Sequence, residues 1–223
     1  SLSHLDSAGR AKYNINYILT GANYSTECIR NPLEWMYYQS DDLQIKHIHS
    51  KFGKKTLSRF PLTNIVSHKI FLPYFKGIKL YRLLDFMIYK KEEATQFLVD
   101  NYGYQRYPQK HFESRFTRFY ESYWLPEKFG FDTRKVQYSS LILTNQMTRD
   151  EALKKLEKPA YDINKVDEDF EYIANKLDIS VDELKNYFNG PNKSYKDYRN
   201  QQYLYSIGAK AMRLIGLERG GKR

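Results

Sequence analysis

Hydrophobic positions change their period along this chain. Ile15-Asn16-Tyr17-Ile18-Leu19-Thr20 is a β-branched, apolar run of one strand's length that ends in Gly21-Ala22-Asn23, which predicts a buried strand delivering a loop. Ile45, Ile48 and Phe52 then recur at helical spacing between the acidic start Asp41-Asp42 and the stop at Gly53, which predicts a short amphipathic helix. Leu62 to Phe75 reads as a further helix interrupted near Pro73, and Ile78 to Leu84 alternates apolar and polar residues as a strand does. Lys90 to Tyr102 returns to helix and stops at Gly103. A strand, two helices, a strand and a helix in that order predict a parallel α/β sheet.

After Tyr104 the strand signal disappears and the pattern becomes helical, with a change of character at Pro108. Thr148-Arg149-Asp150-Glu151 and Ser180-Val181-Asp182-Glu183 both have the spacing of a capping box, so each predicts a helix start. Between them Val166 to Leu177 carries Val166, Phe170, Ile173 and Leu177 on one side and acids on the other. Asn189-Gly190-Pro191-Asn192 marks a loop, and Gly220-Gly221-Lys222-Arg223 reads as a frayed tail. No internal repeat or low-complexity tract is present.

Charge narrows the partners without naming one. Among 223 residues, 36 Lys+Arg against 26 Asp+Glu give +10, and eleven of the cations fall between Lys46 and Lys91. Such a balance favours an anionic partner. The 21 Tyr and 13 Phe serve as core or as stacking platforms for sugars or bases. The single cysteine, Cys28, excludes a disulfide within these residues and a zinc site of several thiolates, and points to a reducing, cytoplasmic setting. The longest apolar stretch, Ile70 to Phe75, is far short of the roughly 20 residues that cross a bilayer. His47 and His49, two apart, fall on different faces of a helix and make no metal pair.

Three segments carry candidate chemistry. Thr20 to Glu27 leaves the first strand where α/β sheets gather ligands, with Asn23 placed to hydrogen-bond a nucleotide or sugar and Glu27 to hold a metal or hydroxyl. The same residues are equally consistent with an ordinary turn in which Ser25 or Thr26 caps a helix. In Tyr107 to Trp124 a stripe of Phe112, Phe116, Phe119 and Tyr123 faces a core, leaving Lys110, His111, Glu113, Arg115 and Arg118 around it, either as an anion-binding cluster or as a solvated face. Phe131 to Leu141 brings two cations, an amide, a phenol and hydroxyls that suit a polyhydroxylated anionic ligand or simply solubilise a helix. No Gly-Lys-Ser/Thr phosphate loop, Gly-x-Gly-x-x-Gly, Cys-x-x-Cys or nucleophile elbow occurs.

Taken together and in order, Tyr17 to Glu27, Pro108 to Tyr120, Lys135 to Ile142 and Met147 to Leu153 resemble the N-acetyl sugar amidotransferases. These are PP-loop ATP pyrophosphatase superfamily enzymes of bacterial surface polysaccharide (lipopolysaccharide O-antigen) biosynthesis. The resemblance runs from about Lys12 to about Leu217. It implies a fold in which the C-terminal part of a Rossmann-like adenine-nucleotide alpha-hydrolase (HUP/PP-loop) sheet is followed by a mainly helical region. The expected domains are an unmatched start 1–10, a partial PP-loop-type α/β domain 11–104, a helical substrate-binding extension 105–218 and a tail 219–223.

The resemblance also implies a reaction. ATP, with Mg2+, activates the oxygen of an acetamido group on a nucleotide-activated sugar, and ammonia from a separate glutaminase subunit, with a cyclase-like companion, leaves an acetamidino group. Gly21, Asn23, Thr26 and Glu27 are thereby placed beside the nucleotide. Lys110, His111, Glu113, Arg115, Thr117, Arg118, Arg134, Gln137, Tyr138 and Ser139 are placed on the sugar side, with catalytic residues unassigned and no complete metal site. The family's Ser-Gly-Gly-x-Asp-Ser loop does not occur in these residues, so the chain is expected to be a C-terminal portion, inactive alone, with an exposed sheet edge that favours association between copies. The other readings are a basic RNA-binding module of a tRNA-modifying PP-loop protein and a non-catalytic glutaminase-docking subunit.

Overall fold

The computed structural model describes residues 16–58, 60, 62–107, 112–214 and 216. The elements in chain order are β1 (Tyr17–Thr20), α1 (Tyr24–Glu27), α2 (Asp42–Phe52), a π-helix over Ser67–Phe75, β2 (Lys79–Arg82), a 3-10 turn over Leu83–Phe86, α3 (Lys91–Tyr102), α4 (Arg115–Phe119) running into a second π-helix over Tyr120–Phe129, α5 (Thr133–Leu143), α6 (Arg149–Leu156), α7 (Val166–Leu177), α8 (Val181–Asn189) and α9 (Gln202–Leu214). The expected α/β order is present, but the described residues are mainly helical. Their sheet has two parallel strands, in register from Tyr17 opposite Lys79 to Thr20 opposite Arg82. A Rossmann-like sheet requires more strands than these.

Local chemistry explains most boundaries. Asp41 caps α2 by accepting from the Gln44 amide, as the acidic start predicts. Gly53 ends that helix by close approach, because a Cβ there would lie 2.3 Å from the His49 ring. Gly103 ends α3 differently, in the left-handed conformation at φ 66 that favours glycine. Both π-helices contain a proline, Pro73 and Pro126. Proline has no N–H to give, and the wider turn accommodates it, as in the bond from the Lys76 amide to the Phe71 carbonyl. The capping box at Thr148 is complete. At Ser180 only half forms: its hydroxyl accepts from the Glu183 amide, while the Glu183 carboxylate takes the Tyr187 hydroxyl.

The chain divides into two compact units that do not follow chain order. The first comprises 1–21, 32–83 and 193–223, and the second 22–31 and 84–192. The expected boundary at 104 falls inside the second unit, and the start 1–10 and tail 219–223 lie outside the described residues. In the first unit Asp41, fully buried, accepts from the Gln44 amide (3.1 Å), the Tyr37 hydroxyl (2.7 Å) and the Gln201 amide (2.5 Å). Tyr37 stacks on Tyr195 and Tyr38 on Tyr205, at 4.7 and 3.7 Å between centroids, and Ser40 Oγ meets the Tyr205 hydroxyl at 2.9 Å.

The second unit holds an aromatic and aliphatic core. Phe119, Val166, Phe170, Ile173, Ala174 and Leu184 are buried there, with Tyr123, Trp124, Tyr161 and Phe188 packed around them. The rings meet edge to face at Phe119–Phe170 (5.0 Å) and Tyr123–Tyr161 (4.9 Å). The expected stripe is corrected at Phe116, which is 48% exposed. It lies about 100° around the helix from Arg115. Because Arg115 and Arg118 bond to α7 and Phe119 packs with it, Phe116 turns aside. Leu177, expected in the core, is also exposed.

Candidate functional site

Two groups of the expected site residues form in the second unit. The first is built where α1 packs on α5, which joins the first and third candidate segments. Asn23 is buried and caps α1, accepting from the Thr26 amide at 2.8 Å and the Thr26 hydroxyl at 3.1 Å. The Tyr24 amide donates to Asp85 at 2.6 Å. The chain leaving α1 is pinned to α5 by Ser140, which is fully buried and accepts the Ile29 amide at 3.0 Å. Thr144 and Gln146 donate to the Ser25 carbonyl at 2.7 and 2.8 Å.

On α5, Arg134 is buried. It forks onto Asp132 (3.0 Å from Nε, 2.7 Å from Nη2), and its Nη1 donates to the Lys155 and Lys158 carbonyls (3.3 and 2.8 Å). These bonds hold the carbonyls left over at the end of α6. Gln137 and Tyr138 are half-buried on the same helix, and Ser139 donates to the Lys135 carbonyl at 2.6 Å. Burial pushes the Tyr138 phenol above its ordinary pKa, against the opposing pull of the Arg134 charge.

The second group lies where α4 meets α7. Ser114 caps α4 by accepting from the amide and hydroxyl of Thr117. Arg115 Nε donates to Asp169 Oδ1 at 2.6 Å and its Nη2 to the Glu168 carbonyl at 3.0 Å, with the guanidinium 4.5 Å from the Tyr172 ring centroid. Arg118 Nη2 reaches both Asp169 oxygens, at 2.9 and 3.1 Å. One carboxylate thus sets two guanidinium groups side by side, each still about a third exposed.

Gly21 closes β1 in the first unit, and Glu27 is exposed on α1. Glu113 is exposed just before α4, and Lys110 and His111 lie outside the described residues. Sequence reasoning missed Asp169, Asp132 and Ser140. Asp169 had a signal: two arginines three apart face one way on a helix and need a carboxylate, and three acids open α7.

At the start of α1 the Tyr24 amide donates to Asp85 and the Thr26 amide to Asn23. Among the described residues no three His, Cys, Asp or Glu side chains converge to hold a metal ion, and no helix is long and apolar enough to cross a membrane.

Residues 113–212 match the family model of the LPS biosynthesis protein WbpG-like, C-terminal domain. The matched segment runs through α4 to most of α9 and takes in Glu113, Arg115, Thr117, Arg118, Arg134, Gln137, Tyr138 and Ser139. It supports a place in lipopolysaccharide biosynthesis. No curated protein and no solved structure matches the chain.

Proposed function

We propose that the chain is the sugar-holding portion of an ATP-dependent amidotransferase that converts the acetamido group of a nucleotide-activated sugar to an acetamidino group, using ammonia from a glutaminase subunit. The observation that carries this reading is the match of residues 113–212 to an LPS biosynthesis domain, which fits a role in sugar modification. That segment contains every expected sugar-side residue except Lys110 and His111. In this reading Asp169 positions Arg115 and Arg118 to meet the anionic part of the sugar nucleotide, and Arg134 keeps α5 and α6 in place beneath Gln137, Tyr138 and Ser139.

Activation by ATP belongs, in this reading, to a Rossmann-like sheet and a Ser-Gly-Gly-x-Asp-Ser loop that these residues do not contain. The small sheet supports that division. Tyr17, Leu19 and Leu80 are exposed on a pair of parallel strands. Parallel strands are ordinarily covered on both faces, so further strands and helices would account for the exposure.

Two measurements test the proposal. Incubated with ATP, Mg2+, ammonium and a UDP-acetamido sugar, the chain alone is expected to release no pyrophosphate, and release would overturn the incomplete-enzyme reading. Supplemented with a protein carrying the Ser-Gly-Gly-x-Asp-Ser loop, it is expected to yield a sugar in which one oxygen has become NH, read by mass spectrometry. Pyrophosphate release from ATP without that product would overturn the amidotransferase reading.

A further inference from the structure

Between Lys46 and Leu83, all within the first unit, the sequence holds nine Lys and Arg and no Asp or Glu, so this stretch carries nine of the ten net positive charges of the chain. The π-helix over Ser67–Phe75 lies in it. Tyr74 and Phe75 are about three-quarters exposed there, and Ile70 and Phe71 nearly half. Ile70 and Tyr74, like Phe71 and Phe75, are four apart, and Ile70 and Phe75 are five apart. A helix whose bonds join residues five apart gathers such positions on one side. Phe71 and Phe75 stack with their centroids 6.0 Å apart, and Lys76 Nζ lies 5.4 Å from the Phe71 centroid. Lys76 and Lys79, which follow the helix, are exposed. Bare apolar side chains and cations therefore share one surface.

An exposed apolar patch of this kind marks a contact surface, and the cations require an anionic partner. A second copy of the same face would set like charges against each other, which disfavours self-association. Single-stranded RNA supplies phosphates and takes rings by stacking. It offers nothing to the aliphatic side chains of Ile70 and of Val66, the latter 55% exposed at the start of the helix. A folded protein would have to be apolar and strongly acidic over the same few residues. A bilayer with anionic headgroups has both properties everywhere: an acyl boundary for aliphatic and aromatic groups alike, and phosphates at the level to which lysine stems reach. Tyr74 suits that boundary too, where an aromatic ring keeps its polar tip in water.

We propose that this π-helix face docks on an anionic lipid bilayer, with Ile70, Phe71, Tyr74 and Phe75 set into the headgroup boundary and Lys76 and Lys79 on the lipid phosphates. The helix lies on the bilayer and does not cross it, since it is only nine residues long. The surface belongs to the first unit, apart from the residues of the second unit assigned above. It stands or falls separately from the amidotransferase reading.

Co-sedimentation of the full chain with vesicles tests the proposal. Binding to phosphatidylcholine vesicles that contain a third phosphatidylglycerol is expected to be about tenfold or more tighter than to phosphatidylcholine alone, and to weaken as salt is raised. The pair Tyr74→Ser and Phe75→Ser, at exposed positions, is expected to weaken it about tenfold, and so is the pair Lys76→Gln and Lys79→Gln. Trp35 fluorescence in denaturant checks that both variants fold. Attraction by charge alone is separated from docking by Phe75→Trp in a chain whose Trp35 and Trp124 are replaced by Phe. Its emission is expected to shift to the blue on anionic vesicles and to be quenched by brominated acyl chains. Sedimentation without that quenching, or binding unchanged in both paired variants, would overturn the proposal. So would a chain that leaves the vesicles alone but binds oligouridylate, or a protein carrying the Ser-Gly-Gly-x-Asp-Ser loop, through Tyr74 and Phe75.

Discussion

The second unit is built on a buried cluster of aromatic rings, whereas the first is organised around a buried carboxylate. Phe119, Phe170 and Ile173 are at most 3% exposed in the second, and four further aromatic rings pack around them. In the first the best-buried group is a carboxylate, Asp41, while exposed rings occur in both units, Tyr74 in the first and Phe86 in the second each at 75%. The difference separates two ways of holding a chain. Apolar burial stabilises in proportion to area and tolerates modest changes of shape, while a buried carboxylate fixes one arrangement and fails sharply when any partner is lost. The second unit therefore has the makings of independent stability, and the first depends on one polar node joining 37–44 to 195–205.

The largest effect is expected at that node. Asp41→Ala leaves the Tyr37 hydroxyl and the Gln44 and Gln201 amides without their acceptor, at an expected cost of about 3–5 kcal/mol. The chain has two tryptophans, Trp35 in the first unit and Trp124 in the second, so each unit can be followed by its own fluorescence. In a Trp124→Phe background the Trp35 transition is expected to move to much lower denaturant, while in a Trp35→Phe background the Trp124 transition moves little. If both move together, the two units unfold as one and the contrast drawn above dissolves.

Ile173→Ala is the reciprocal experiment. Ile173 is 1% exposed at the centre of the aromatic core, and truncating such a side chain costs about 2–4 kcal/mol through lost burial and the cavity left behind. The Trp124 transition is expected to shift by that amount, with Trp35 the less affected probe. A loss below about 1 kcal/mol would mean that the core relaxes around the gap and is less tightly packed than its ring geometry implies.

How much of this was legible in the sequence depended on whether the cause was local. The α2 cap at Asp41, the helix Val166–Leu177 and the stop at Gly103 follow from period and capping chemistry within a few residues, and the parallel pairing of the two short strands from the order of strands and helices along the chain. The Ser180 box failed because a competing donor, the Tyr187 hydroxyl, sits one turn on and takes the carboxylate. Asp41 read as a helix cap and nothing more. Its bond to Gln201 spans 160 positions, and no periodicity reaches that far. The pairing of Arg115 and Arg118 with Asp169 and the pinning of α1 to α5 by Ser140 are long-range in the same way. Of the candidate site, the residue types and segments were readable, but the partners that fix their geometry were not.

The smallest effect expected is a pH dependence confined to the first unit. His47 Nδ1 accepts the Arg199 amide at 2.8 Å, a bond that needs a bare ring nitrogen and is lost when that nitrogen is protonated. Desolvation, with the charges of Lys51 and Arg199 beside it, holds the imidazole below its ordinary pKa of 6.5. The folded chain therefore takes this proton less readily than the unfolded chain does. The stabilisation is whole above the ordinary value and is lost progressively as the pH falls below it. His47→Asn keeps a side-chain acceptor close to the position of Nδ1 without a titrating group. Between about pH 8 and pH 5 the Trp35 transition of the unsubstituted chain is thus expected to fall more than that of the variant. The Trp124 transition provides the control, since His47 lies in the first unit. Equal losses in chain and variant would show that other groups set the acid sensitivity and that the Arg199 bond contributes little to the stability of the first unit.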